Sequence, residues 1–203
     1  MKVTVLATSA TLRKRGARLF EEPTVPDTDV SAVGKTVVLG LGNRYLRDDG
    51  VGAAVAKELL RLDLGEGVLV RAHQTFDLCL LSEYSGASQL IVIDAAESGT
   101  SPGTVTEYAV VPRPGPLDSL PDLHSLKLLD LIDFASRTNM LSCPLTVLGV
   151  EPKDCRIGEG LSPEVERAVS DVVCLVARKS RQRPQPIPAP RGIQPSGGPP
   201  SDL

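Results

Sequence analysis

The chain has 203 residues, 41% of them hydrophobic and 23% charged, which suits one domain with a core of its own. Its 22 Lys+Arg against 25 Asp+Glu give a net charge of −3, and three Tyr, three Phe and no Trp offer few stacking surfaces, which argues against a nucleic-acid binder. No apolar run approaches the roughly 18 residues of a membrane span, and Cys79, Cys143, Cys155 and Cys174 form no CxxC pair, so the expectation is a cytoplasmic protein with reduced thiols.

Residues 1–34 begin with a short apolar stretch followed by Arg13, Lys14, Arg15 and Arg18, the reverse of a secretory signal. Pro23, Pro26 and neighbouring acidic residues then read as a linker. Thr36–Leu41 (TVVLGL) is a continuous β-branched and apolar run, as a strand covered on both faces requires. Val51, Ala54, Val55, Ala56, Leu59 and Leu62 recur at helical spacing, predicting a helix over 50–62. A strand at 67–72, a short helix at 77–85, a strand at 90–94 (LIVID) and a strand at 104–111 after the Pro102-Gly103 turn follow. A helix is predicted over 123–135 and a fifth strand at Leu145–Val150. In the last helix Ser162 is placed to cap, Pro163 suits the first turn, and Val165, Val169, Val172, Val173 and Val176 form the buried stripe. Residues 181–203 hold seven of the 17 prolines and read as a disordered tail. The folded domain is therefore drawn at 35–180, with both ends expected to add little to it. Strands alternating with helices predict a three-layer α/β/α sandwich around a mostly parallel five-stranded sheet.

Ligands of open α/β sheets bind beyond the carboxyl ends of the strands. Three such positions carry candidate chemistry. The first is the loop GLGNRYLRDDG at 40–50, where the third glycine of a dinucleotide fingerprint would fall on Tyr45 and no P-loop Gly-Lys-Ser/Thr follows. Its acidic pair, Asp48 and Asp49, directly precedes a helix, and one of the two suffices as a cap. The second position is Asp94, which ends LIVID, and the third is His124 at the start of a later helix. His73 also follows a strand. Asp49, Asp94 and His124 together offer two oxygen donors and one nitrogen donor, a set suited to a borderline divalent metal with open positions. Neither HExxH nor GxSxG occurs. From the residues alone the reading stops at an α/β protein with a metal or anion site.

The ordered motifs VVLGLGNRYLRDDGVG, LIVIDAAESGTSPGTV, DLHSLKLLDLI and LTVLGVEPKDCRIGEGLSPEVERAV closely resemble the hydrogenase maturation endopeptidases, from about residue 36 to 177. That resemblance implies a peptidase that trims the carboxyl-terminal extension of a [NiFe] hydrogenase large-subunit precursor. It implies that Asp49, Asp94 and His124 are the nickel-recognising and catalytic residues. It further implies that the metal is no resident cofactor but the nickel already loaded into the precursor, which is the expected partner of a monomeric enzyme. Water would be activated, or the carbonyl polarised, near that metal. Asp48 would assist or cap the helix. His73-Gln74 resembles the members serving bidirectional, soluble-cofactor-linked hydrogenases, although Thr75 stands where those commonly have leucine. The 34-residue amino-terminal extension also departs from the family pattern. Two rival classes are a non-catalytic precursor- or metal-binding chaperone of the same fold and a phosphate binder. Two aspartates in the first loop repel phosphate and rank the latter last.

Overall fold

A computed structural model describes residues 31–84, 86–110, 112, 115 and 128–182. The chain runs β1 (Thr36–Leu41), a 3-10 turn (Arg47–Gly50), α1 (Val51–Leu59), β2 (Val68–His73), α2 (Leu78–Glu83), β3 (Gln89–Ala95), β4 (Val105–Val110), α3 (Leu128–Arg137), β5 (Leu145–Val150) and α4 (Pro163–Ser180). One five-stranded sheet has the order β2-β1-β3-β5-β4, parallel throughout except for β4, which lies antiparallel to β5 at the edge. Among the described residues no helix is long and apolar enough to cross a membrane.

The burial pattern explains the strand composition. Every residue of β1 and β5 is buried, because helices cover both faces of the sheet there. On one face Leu39, Leu90, Val92 and Leu145 pack with Leu80 and Leu81 of α2 and Ile132 and Ala135 of α3. On the other, Val38, Ile91, Ile93 and Leu148 pack with Val51, Val55 and Leu59 of α1 and with Val165, Val169, Val172 and Val176 of α4. Val173, counted in the predicted stripe, is only partly buried against that layer. The three-layer sandwich is thus the observed architecture.

The predicted boundaries shift in two places. The folded body reaches back past 34/35: Ala32 is buried in the core, and the Gly34 N–H donates to the Gly86 carbonyl at 2.9 Å. The helix predicted over 50–62 is shorter, with a 3-10 turn before it and its last turn ending at Leu59. That turn matters for function because it carries both aspartates of the first loop.

Strand order fixes where a ligand can sit. After β1 the chain crosses to β2 on one side, and then returns to place β3 on the other side of β1. The carboxyl ends of β1 and β3 therefore border the switch-point crevice of the sheet. α1 is pressed against this point. A Cβ on Gly52 would collide with the carbonyl oxygens of Ile93 and Leu41, so only glycine lets the helix start sit directly on the two strands.

Candidate active site

Asp49 and Asp94 flank that crevice. The Asn43 N–H donates to Asp49 Oδ2 at 2.7 Å, and Asn43 Oδ1 in turn accepts from the Tyr45 N–H at 3.0 Å. Gly42 has φ 111 and lies against the Asp49 carbonyl, so a side chain there would displace the turn. Asp94 is half-buried, and its Oδ1 accepts from the Ala95 N–H at 2.9 Å. Burial pushes its carboxyl up to about 6, and the negative charge of Asp49 adds to the rise against that one hydrogen bond. The structure therefore brings two of the three predicted site residues together. His124 lies outside the described residues, as does the start of the helix predicted over 123–135. Among the described residues no three His, Cys, Asp or Glu side chains group to hold a metal ion.

The capping expectation is corrected. Neither aspartate caps α1, whose N-cap residue is Gly50 without a side-chain bond. Asp48 is fully buried and reaches across to the β5–α4 loop. Its Oδ2 accepts from the N–H groups of Lys153 (2.9 Å) and Asp154 (3.0 Å) and from Ser162 Oγ (2.8 Å), while Oδ1 accepts from the Ser162 N–H (2.6 Å). Burial alone would raise its pKa, but the bonds from Ser162, Lys153 and Asp154 outweigh burial and hold it below the usual range. Ser162 does occupy the N-cap position of α4, yet its hydroxyl is spent on Asp48 rather than on its own helix. Arg47, in the left-handed region at φ 52, is held by its N–H to the Gly158 carbonyl (3.1 Å) and by an ion pair with Asp154 (3.3 Å).

A second buried carboxylate went unnoticed in the sequence. Glu151 accepts from the Ser98 N–H (2.7 Å), Ser98 Oγ (2.6 Å), the Gly99 N–H (3.2 Å) and Thr100 Oγ1 (3.2 Å). The Ser98 hydroxyl and amide, first, hold it down to about 2. It ends a wholly apolar strand just as Asp94 ends LIVID, and that shared pattern was the available signal. Asp48 and Glu151 thus pin the loops on either side of the crevice, leaving Asp49 and Asp94 to face it. Cys155 was also missed as a neighbour of the site. Burial raises its thiol pKa, as do the charges of Asp49, Asp48 and Glu97, against a hydrogen bond with the Asp49 backbone. His73 stands opposite Leu41 at the end of β2, with Nε2 3.2 Å from Tyr84 Oη, and burial lowers its pKa.

Residues 74–179 match the family model described as hydrogenase maturation protease. The chain belongs to the hydrogenase maturation protease family. The protease is 28% identical over 150 residues to the hydrogenase 2 maturation protease of Escherichia coli K12, covering 73% of this chain and 92% of that relative. It is 30% identical over 145 residues to the hydrogenase expression/formation protein HupM of Azotobacter chroococcum, covering 70% of this chain and 68% of HupM. Among solved structures, the hydrogenase maturating endopeptidase HybD of E. coli superposes with a TM-score of 0.57 at 26% identity, over 72% of this chain and 94% of HybD.

The raised carboxyl of Asp94 predicts how the unliganded protease responds to pH. A carboxylate that titrates near 6 when folded and near 4 when unfolded binds its proton earlier in the folded state, so stability rises as pH falls from 7 to 4. Asp94→Asn keeps the oxygen that accepts from Ala95 and removes the charge. It should stabilise the unliganded protease by about 1–2 kcal/mol at pH 7.5, less than full linkage because water screens part of this carboxylate. The gain should vanish near pH 4. Urea unfolding of both proteins across this range checks it, and a difference that ignores pH would contradict the pairing of Asp49 with Asp94.

Proposed function

We propose that this protease hydrolyses one peptide bond in the precursor of a [NiFe] hydrogenase large subunit, releasing its carboxyl-terminal extension after nickel has been loaded. The observation that carries the reading is the pair Asp49 and Asp94 at the switch-point crevice, two carboxylates near enough for one to raise the pKa of the other. Such a pair is stabilised by a divalent cation, and here the cation is part of the substrate. Asp49 and Asp94 supply oxygen donors and His124 the nitrogen donor, while thiolates of the precursor occupy the remaining positions on nickel. A carbonyl or a water beside that ion becomes the electrophile or the nucleophile of the hydrolysis. Asp48 takes no part in this set, because both its oxygens are already engaged by the β5–α4 loop. We place the reaction in the cytoplasm, with the protease acting as a monomer.

Incubation of the protease with nickel-loaded precursor should release a short carboxyl-terminal peptide, read as a mass loss in the large subunit. Nickel-free precursor should stay intact. Equal processing of the two would overturn nickel recognition. Processing of neither, with binding retained, would favour the non-catalytic chaperone.

A further inference from the structure

The β1–α1 and β5–α4 loops run side by side next to Asp49. A parallel bridge joins Leu46 to Gly158, with the Gly158 N–H donating to the Tyr45 carbonyl at 2.9 Å and the Arg47 N–H donating to the Gly158 carbonyl at 3.1 Å. This register sets Tyr45 opposite Ile157, on one face of the paired segments. Both are exposed large hydrophobics, Ile157 at 88% and Tyr45 at 44%. The Arg44 guanidinium lies 4.8 Å from the centre of the Tyr45 ring and donates to its hydroxyl at 2.7 Å. Arg156 precedes Ile157 and is itself exposed, paired with Asp154 at 2.8 Å. Asp154 also serves Arg47, so one carboxylate is shared by two guanidinium groups.

A single exposed isoleucine is ordinary on a protein surface. This one differs in its support. The loop that bears it is fastened by the four bonds to Asp48 and by both backbone groups of Gly158. Its apolar side chain is therefore displayed with little entropy left to lose, which is the condition for an inexpensive contact. Tyrosine and arginine are also the residues that interfaces favour. Two positions before Ile157, Cys155 adjoins Asp49, so the displayed pair sits at the rim of the crevice. The charge here is opposite in sign to that of the chain: Arg44, Arg47 and Arg156 outnumber Asp154 and Glu159, whereas the whole protein carries −3.

We infer that Tyr45 and Ile157, flanked by Arg44 and Arg156, form a docking shelf for an extended segment of the precursor that carries an apolar side chain and a carboxylate; this rests on the peptidase reading above. The apolar side chain covers Ile157 and the Tyr45 ring, and the carboxylate meets the arginines, which steer it toward the rim.

The test uses the full chain and the nickel-loaded large-subunit precursor with its extension intact, measuring binding and processing separately. Ile157→Asp and Arg156→Glu place a negative charge on the shelf. Each should weaken binding, and raise the half-saturating precursor concentration, by about tenfold or more. The loss should appear there rather than in turnover at saturation. Ile157→Leu and Arg156→Lys should recover most of it. Leu62→Asp, at an exposed leucine beyond α1, serves as the control and should behave as the unaltered protein. Unchanged binding in the shelf variants, or an equal loss with Leu62→Asp, would overturn the shelf. If the unaltered protein binds precursor without cutting it and the shelf variants lose that binding, the shelf stands and the peptidase reading falls. If it neither binds nor cuts, both fall.

Discussion

Replacing Asp49 by Asn should slow precursor processing by about a hundredfold or more at saturating substrate while leaving the fold intact, the scale expected when an electrostatic contact to the reacting centre is lost. The amide keeps the size of the side chain and an oxygen to accept from the Asn43 N–H, so the turn from Asn43 to Asp49 survives. What disappears is the charge that a divalent ion favours. A second reading of the same variant is independent of catalysis. Because the Asp49 charge helps raise the Asp94 carboxyl, that carboxyl should titrate below its present value of about 6 once Asp49 is neutral. Carboxyl-carbon NMR titration would show the shift. His124→Ala belongs beside this variant, since it removes the nitrogen donor of the proposed set, and it should impair processing on the same scale. Processing that survives both substitutions would remove Asp49 and His124 from the mechanism.

Asp48→Ala should destabilise the protein by about 3–5 kcal/mol, because it leaves three backbone N–H groups and one hydroxyl without their acceptor in a buried place. Asp48→Asn separates the structural role found here from the helix-capping role. As a cap, asparagine replaces aspartate with little loss. In this position the amide has one oxygen for two sets of donors. If its oxygen faces Lys153, Asp154 and the Ser162 hydroxyl, its NH₂ opposes the Ser162 N–H; turned round, it opposes the other three. A cost of about 2 kcal/mol or more follows either way. The acid response has a definite sign as well. The carboxyl titrates below its usual value when folded, so its stabilisation is complete above about pH 4 and is lost as pH falls through the folded pKa. That acid limb should shrink in Asp48→Asn. Urea unfolding between pH 2.5 and 7 measures both effects, and an Asn variant as stable as the original would restore the capping role.

These two neighbouring aspartates show how far the chain could be read without its fold. A β-branched run without charges, such as TVVLGL or LTVLGV, has no stable place except between two layers of helices, so these strands and their burial were legible locally. The valine stripe of α4 likewise declared a buried face, and a carboxylate ending LIVID marked Asp94 as standing at a strand's carboxyl end. Family-specific motif order extended this to the peptidase assignment. The division of labour between Asp48 and Asp49 was not legible, because both precede the same helix and either residue type can cap it. Only the tertiary structure decides it, by folding back a loop whose donors lie 105 to 114 residues away and saturating one carboxylate. The same holds for the apposition of Asp49 and Asp94. Local periodicity specifies which face of a strand is apolar, but strand order depends on crossovers and packing over the whole sheet. It is the placing of β3 against β1 that turns two separate strand ends into one crevice.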